Sequence, residues 1–291
     1  MEALYVDLHK LGIIVLNYQT SDETIHFLES AYKFYGDLRI VVIDNGSSQE
    51  NKGKLLNSLI KKNTSFLYLE NNLGYARGLN AGIQQLRSEG YLFIACSNND
   101  ILFLDDLSLH VLAESLSDES VAISGPRILT PKGRNQNPML SDRPNRSRAQ
   151  HMLNYYSYPN IVSRLLFNRF ILNPIKRQIR KNKKTYGTTT QFTQNNRYVY
   201  ALNGAFFILG PRFFEYYNEL DPHTFLYAEE LILAEMAYKI DLKMLYVPNA
   251  QLFHKEDQTS NAIWGGEDRL RPSFIARESM QHWYYHHYLK T

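Results

Sequence analysis

Two adjacent carboxylates, Glu229 and Glu230, stand inside the apolar run Thr224-Phe225-Leu226-Tyr227-Ala228-Glu229-Glu230-Leu231-Ile232-Leu233. The pair reads in two ways. It is either the first turn of a helix, where the dipole favours each acid by about 0.3–1 kcal/mol, or the acid/base of a reaction. Helical neighbours point about 100° apart, so the two are not expected to share one face. Burial of one in a site should leave the other outside.

Further polar groups recur after short apolar runs. Asn17-Tyr18 follows residues 11–16, and Asp44-Asn45-Gly46-Ser47-Ser48 follows 39–43. Glu70-Asn71-Asn72-Leu73-Gly74 follows 66–69, and Ser97-Asn98-Asn99-Asp100 follows 91–95. Carboxylates and amides there can hydrogen-bond a base edge or ribose hydroxyls. The same residue types cap helices, which accounts for Ser47 and Ser48 equally well. Asp44 has its own local reading, an Asp-Asn-Gly turn. Capping does not explain Asp100, which leads into Ile101-Leu102-Phe103.

The elements that would position these groups alternate. Helical patterns at 22–35, 49–62, 75–87 and 104–116 separate the apolar runs. Continuous apolar strands between helices indicate a parallel sheet covered on both faces, with ligands beyond the carboxyl ends of its strands. The second half is less regular. Residues 131–148 read as loop, 198–209 as strand broken at Asn203-Gly204, 231–240 as helix, 242–247 as strand, and the His-rich end as helix.

The chain has 291 residues, 44% hydrophobic and 21% charged, as expected for a folded globular protein. A single cysteine, Cys96, fits a reducing compartment, and the acidic N-terminus lacks a secretory pattern. No apolar run reaches the roughly 18 residues of a membrane span. These features point to a cytoplasmic location. The net charge of +3 conceals an asymmetry: residues 143–214 hold thirteen Lys and Arg and no acid, which leaves −10 for the remainder. Residues 161–184 mix eight cations with Leu, Ile and Phe. They read as an amphipathic helix on an anionic membrane surface, or as a packed helix with a solvated basic tail.

The ordered motifs resemble the inverting nucleotide-sugar glycosyltransferases of family 2, which have the GT-A fold, and within them a bacterial rhamnosyltransferase-like branch of surface polysaccharide synthesis. The resemblance is carried by the strand ends above, by Asn72-Leu73-Gly74-Tyr75-Ala76-Arg77-Gly78-Leu79-Asn80-Ala81-Gly82, by Leu202-Asn203-Gly204-Ala205, by 221–230 and by His254. It implies a Rossmann-like, mostly parallel sheet flanked by helices, with a basic, partly helical insertion and a C-terminal helical segment. One continuous domain would comprise a nucleotide-sugar half (1–130), an insertion facing acceptor or membrane (131–196) and a catalytic half (197–291). Glu230 would be the general base, supported by Glu229, with Asp221 meeting the acceptor. The donor would lie on Asn17, Tyr18, Asp44, Asn72, Gly74, Arg77, Asn80, Asn98, Asn99 and Gly204. Asp100 and His254 would hold Mg²⁺ or Mn²⁺.

The implied partners are a UDP- or dTDP-sugar and a glycan or lipid-diphosphate-linked acceptor at the inner face of the cytoplasmic membrane. Several positions depart from the family pattern. Asn98 replaces an Asp, Glu230 an Asp, Ile232 an Asp, Met236 an Arg, and Asn218 and Glu219 replace glycines. A sugar-1-phosphate nucleotidyltransferase is disfavoured, because residues 17–22 supply no glycine- and Arg/Lys-rich phosphate loop. A nucleic-acid- or membrane-binding protein on a degenerate scaffold is the competing reading of the basic segment, with nucleic acid the less favoured partner.

Overall fold

The computed structural model describes residues 8–58, 63–167, 195–256 and 270–291. The end of the second expected helix (59–62) and most of the basic segment (168–184) lie outside the described residues. The strands are β1 (Leu11–Asn17), β2 (Arg39–Asn45), β3 (Thr64–Leu69), β4 (Phe93–Asn98), β5 (Ile101–Phe103), β6 (Val121–Leu129), β7 (Arg197–Val199), β8 (Phe206–Leu209) and β9 (Lys243–His254). They form one sheet in the order β3-β2-β1-β4-β8-β6-β9-β5, with β7 also on β9. β1, β2, β3, β4, β6 and β9 point the same way, while β5, β7 and β8 oppose them. The mostly parallel sheet expected from the apolar runs is present.

Alternating side chains send Ile13 and Val15 of β1 to one face and Ile14 to the other. The first face is covered by α1 (Ser21–Phe34), α2 (Gln49–Leu56) and α4 (Ser108–Ser115). The second is covered by α3 (Tyr75–Ser88) and by a helix at Glu229–Lys239. Between β6 and β7 lie α5 (Arg146–Tyr155) and α6 (Tyr158–Phe167); after β8 come α7 (Pro211–Phe214) and then α8, the helix at Glu229–Lys239. The C-terminal α9 (Leu270–His282) continues into a π-helical turn, Trp283–His287, that buries Trp283 in the second core.

Three local differences from the sequence reading have physical causes. α5 begins inside the expected loop because Asn145 caps it, accepting from the Arg148 amide at 2.9 Å. β9 runs beyond 247 because its pairing with β6 shifts register across Pro248 and resumes at Gln251. A bulge absorbs what the sequence presents as a strand end. Both ends of the basic stretch are ion-paired within the protein. Arg143 pairs with the fully buried Glu235 at 2.9 Å, and Arg212 pairs with Glu215.

α3 lies flush on β1 because its glycines face the sheet. A Cβ at Gly78 would stand 2.7 Å from a Leu16 methyl, and one at Gly82 would stand 2.8 Å from Ile14. Gly82→Val should therefore destabilise the protein by about 1–3 kcal/mol through overpacking. Gly53→Ala, in α2 with nothing within 4 Å of the added carbon, should stabilise by about 0.5–1 kcal/mol. Urea midpoints at constant slope check both; equal effects would refute the packing role of Gly82.

Candidate active site

The carboxyl ends of β1, β2 and β4, the loop before α3, the turn before β8 and the start of α8 open into one cleft of about 720 Å³. Its polar wall includes Tyr18, Asn72, Gly74, Asn98, Gly204, both glutamates and His254. The rest of its lining is mostly apolar and aromatic, with Met139 and, on α5, Met152 and Tyr155 next to His151. That wall was not anticipated, because α5 lies in a Pro- and Asn-rich region with weak periodicity.

Asp100 and His254 meet at one end of β9. Asp100 is 4% exposed. Its Oδ1 lies 3.1 Å from His254 Nε2 and has no hydrogen-bond partner. The other imidazole nitrogen, Nδ1, lies 2.7 Å from Gln136 Oε1, which orients the ring. An orphaned carboxylate oxygen beside an imidazole fixed from behind fits a divalent ion, whose histidine ligands are commonly anchored in this way. Gln136 escaped the sequence reading because only the fold brings it to His254.

Glu229 and Glu230 open α8, and both line the cleft. The expectation that only one would face a site is corrected: the cleft wraps the helix N-terminus, so directions 100° apart both look into it. The chain enters α8 through left-handed backbone at Tyr227 (φ 75°) and Ala228 (φ 63°). Such strain costs on the order of 1–3 kcal/mol per residue and collects at functional sites. Burial raises the proton affinity of Glu229, and the neighbouring Glu230 charge raises it further. Burial also raises that of Glu230. The two differ in support. The Gly204 amide donates to Glu230 Oε1 at 3.3 Å, whereas Glu229 Oε1 is buried without a partner. Like charges in one site resist double ionisation. Because the Glu230 charge acts on Glu229, the proton of the pair is held chiefly by Glu229.

The residues expected to hold a nucleotide separate into three groups. Tyr18, Asn72, Gly74, Asn98 and Gly204 line the cleft. Asn17, Asp44 and Asn99 instead form a buried lattice below it. Asn17 Nδ2 donates to Asp44 at 2.8 Å, and Asn17 Oδ1 accepts from Thr24 and Asn99. Asp44 also accepts from the Ser47 amide at 3.0 Å, which is the local turn that its sequence allows. Arg77 and Asn80 point to a loop rather than the cleft. Arg77 donates to the Pro222 carbonyl at 2.7 Å, and Asn80 bonds both the N–H and the C=O of Leu220 at 2.9 Å. Gly74 belongs to this clamp as well as to the wall. Its φ is 89°, and a Cβ there would lie 2.3 Å from the Phe225 carbonyl oxygen.

Asp221 lies outside the main cleft wall. It contacts His223, His282 and His287 at 3.0–3.1 Å. Burial opposes its charge, but hydrogen bonds from His287 and His223 and the His282 charge outweigh this and hold its carboxyl below the usual range. The two C-terminal histidines were visible in the sequence only as composition.

An α/β sheet whose strand ends carry a donor-sized cleft, a metal-compatible Asp–His pair and a buried carboxylate pair has the GT-A glycosyltransferase architecture. The chain belongs to glycosyl transferase family 2, whose family model matches residues 12–176. Two solved structures share the fold. A crystal structure of GalNAc-T7 with UDP, GalNAc and Mn²⁺ is 14% identical, with a TM-score of 0.53 over 84% of this chain and 43% of that one. The mannosyltransferase PcManGT from Pyrobaculum calidifontis, in complex with GDP-Man and Mn²⁺, is 11% identical, with a TM-score of 0.51 over 95% of this chain and 70% of its own. The chain thus spans less than half the length of the GalNAc-T7 chain. No curated protein matches it.

A raised carboxyl pKa has two consequences. The folded state binds protons more tightly than the unfolded chain, so this pair's contribution to stability falls as pH rises above the ordinary carboxylate range. A base must be deprotonated, so the acid limb of kcat/KM should lie above that range, toward neutrality. A pH–rate profile checks the limb; one centred at an ordinary glutamate value would refute a buried base.

Proposed function

We propose that this chain transfers a sugar from a nucleotide-diphosphate donor to a hydroxyl of a glycan or lipid-linked glycan, with inversion at the anomeric carbon. The reading rests chiefly on one observation: the glutamate pair at the head of α8 shares a cleft with His254, whose Nε2 meets Asp100. Family membership supports sugar transfer, and both similar structures hold a nucleotide or nucleotide sugar with Mn²⁺.

Glu230 takes the acceptor proton, because Gly204 favours its ionised form. Glu229 keeps its proton and offers a hydrogen bond to a sugar hydroxyl. Tyr18, Asn72, Asn98 and the Gly74 and Gly204 backbones hold the donor, while Asn17, Asp44 and Asn99 form the rigid floor beneath. Asp100 and His254 would hold Mg²⁺ or Mn²⁺, which would supply positive charge toward the leaving diphosphate. Asn98 in place of an acid lowers the charge of this site, which suits an ion that draws its remaining ligands from substrate phosphate and water. The donor is a UDP- or dTDP-sugar, hexosyl or rhamnosyl, and the pathway makes capsule, O-antigen or cell-wall polysaccharide. Residues 1–130 form the donor half, 131–196 the insertion facing acceptor or membrane, and 197–291 the catalytic half.

The apolar wall suits an acceptor that carries lipid, and the basic composition of residues 143–214 suits an anionic membrane surface. Among the described residues no helix is long and apolar enough to cross a membrane. The competing nucleic-acid reading leaves the strained, buried carboxylate pair without a purpose.

Glu230→Gln should lower transfer by about 10²–10⁴-fold, the usual contribution of a general base, while Mn²⁺-dependent nucleotide binding persists. Glu229→Gln, which preserves a hydrogen-bond donor, should cost much less. Release of nucleoside diphosphate from UDP-, dTDP- and GDP-sugars measures both. Full turnover in Glu230→Gln together with loss in Glu229→Gln would reverse the assignment.

A further inference from the structure

The C-terminal segment closes over the turn that carries Asp221. His282 ends α9, and His287 ends the π-helical turn that follows it. Residues five apart on an α-helix lie about 140° apart around the axis, on different faces. The i→i+5 pattern of a π-turn brings them back to nearly the same side, and such turns recur at functional sites. Here it directs both Nε2 atoms at one carboxylate: His282 reaches Asp221 Oδ1 at 3.1 Å and His287 reaches Oδ2 at 3.0 Å. The three donor atoms lie within 4.8 Å of one another. All three side chains are largely buried, at 14%, 18% and 9% exposure for Asp221, His282 and His287.

We propose that Asp221, His282 and His287 form a second metal site, built for a zinc-class transition ion. Two imidazoles and one carboxylate are a donor set for Zn²⁺, Co²⁺ or Ni²⁺, whereas Mg²⁺ and Mn²⁺ favour oxygen. Bonds of about 2.0–2.1 Å at tetrahedral angles place ligand atoms roughly 3.3 Å apart. The two carboxylate–imidazole separations, each to a different oxygen of Asp221, are within a few tenths of that, and the three donor atoms would draw in from their spread of up to 4.8 Å around an ion. The fourth position would fall to water; His223 packs beside the site, its Nδ1 3.1 Å from Asp221 Oδ1 and its ring stacked on His282 at 5.2 Å. On the far side of His287, Lys239 Nζ lies 3.5 Å from Nδ1 and equally far from the His286 carbonyl. With Nε2 on a metal, Nδ1 carries the proton and the ammonium rests on that carbonyl.

The site differs in chemistry from Asp100 and His254, and its role is structural. It would cross-link positions 61 and 66 residues apart. The turn at Asp221 begins the loop that ends at Glu230, so the ion would tie that loop to the C-terminal helix.

The test uses the full chain, freed of any histidine tag, treated with chelator and desalted, then dialysed against Zn²⁺ and assayed for bound metal. Wild type and Asp100→Asn should each retain one equivalent that the His282→Ala/His287→Ala double variant lacks. Zn²⁺ should raise the melting temperature of the first two alone. Stoichiometric Co²⁺ should give wild type the strong visible absorption of a four-coordinate site, a readout that needs no variant to fold. Failure of wild type to develop that band, Zn²⁺ retained by the double variant, or loss of all Zn²⁺ in Asp100→Asn would each overturn the proposal. A failure here would leave the glutamate assignment standing, because nucleotide binding and transfer are read separately.

Discussion

The candidate site depends on how one loop is held against the N-terminal half of α3. Leu220 is gripped at both its N–H and its C=O by the single amide of Asn80, in the manner of a strand pair. Arg77 takes the Pro222 carbonyl, and the Tyr75 amide takes the Phe225 carbonyl at 2.9 Å. Gly74 leaves space for that carbonyl where no other residue would fit. The loop then emerges at Ala228 in left-handed backbone and starts α8 with its carboxylates already aimed. The strain at 227 and 228 persists because four contacts upstream over-determine it. The Tyr75 hydroxyl also donates to the Gly204 carbonyl, so the residue that meets Glu230 is held by the same helix that holds the loop.

The strand ends show a division of labour. Polar residues at these positions can meet a ligand or meet one another. In β1 and β2 they chiefly meet one another: Asn17 is fully buried and spends its amide on Asp44, Ser47, Thr24 and Asn99. A buried network of this kind fixes the spacing of the strand ends, because unpairing Asn17 or Asp44 would strand a polar group at a cost of about 1–3 kcal/mol; among its members only the Asn99 Oδ1 has no partner. Asn45 extends the network outward, bonding Asn72 and the Gly74 carbonyl at 3.0 Å. The cleft wall is thus one bond removed from the core, and a donor bound there would meet a surface with little freedom to adapt.

Much of this was legible in the sequence, for a definite reason. Apolar runs of period one, separated by helical patterns, dictate a parallel sheet, and polar residues after each run dictate where a ligand belongs. The glycines four apart in α3 are visible in the sequence, but that they pack on β1 is seen only in the fold. What remained illegible required contacts distant in sequence. Nothing local distinguishes Asn17, which is buried, from Asn98, which lines the cleft. Nothing local shows that Asn80 reaches 140 residues ahead rather than a nucleotide. The pairing of Gln136 with His254, and of Asp221 with His282 and His287, exists only after the sheet and the C-terminal helix have come together.

The glutamate at 230 shows how such distant contacts resolve a local anomaly. Relatives of the resembled pattern carry the shorter aspartate there, and an added methylene would by itself displace a base from its proton. Gly204 absorbs the difference. A Cβ at that position would lie 3.0 Å from Glu230 Oε1 and 3.3 Å from Cγ and Cδ, so the longer side chain occupies the space that glycine leaves open. The contact shortens the effective reach of the glutamate and supplies the N–H that stabilises its charge. The adjacent turn is secured independently: Asn137 accepts from the Asn203 amide at 2.7 Å, and Asn203 accepts from the Ala205 amide at 2.9 Å. The longer carboxylate is therefore not slack in the site. Its extra length is taken up against a backbone that is fixed on both sides.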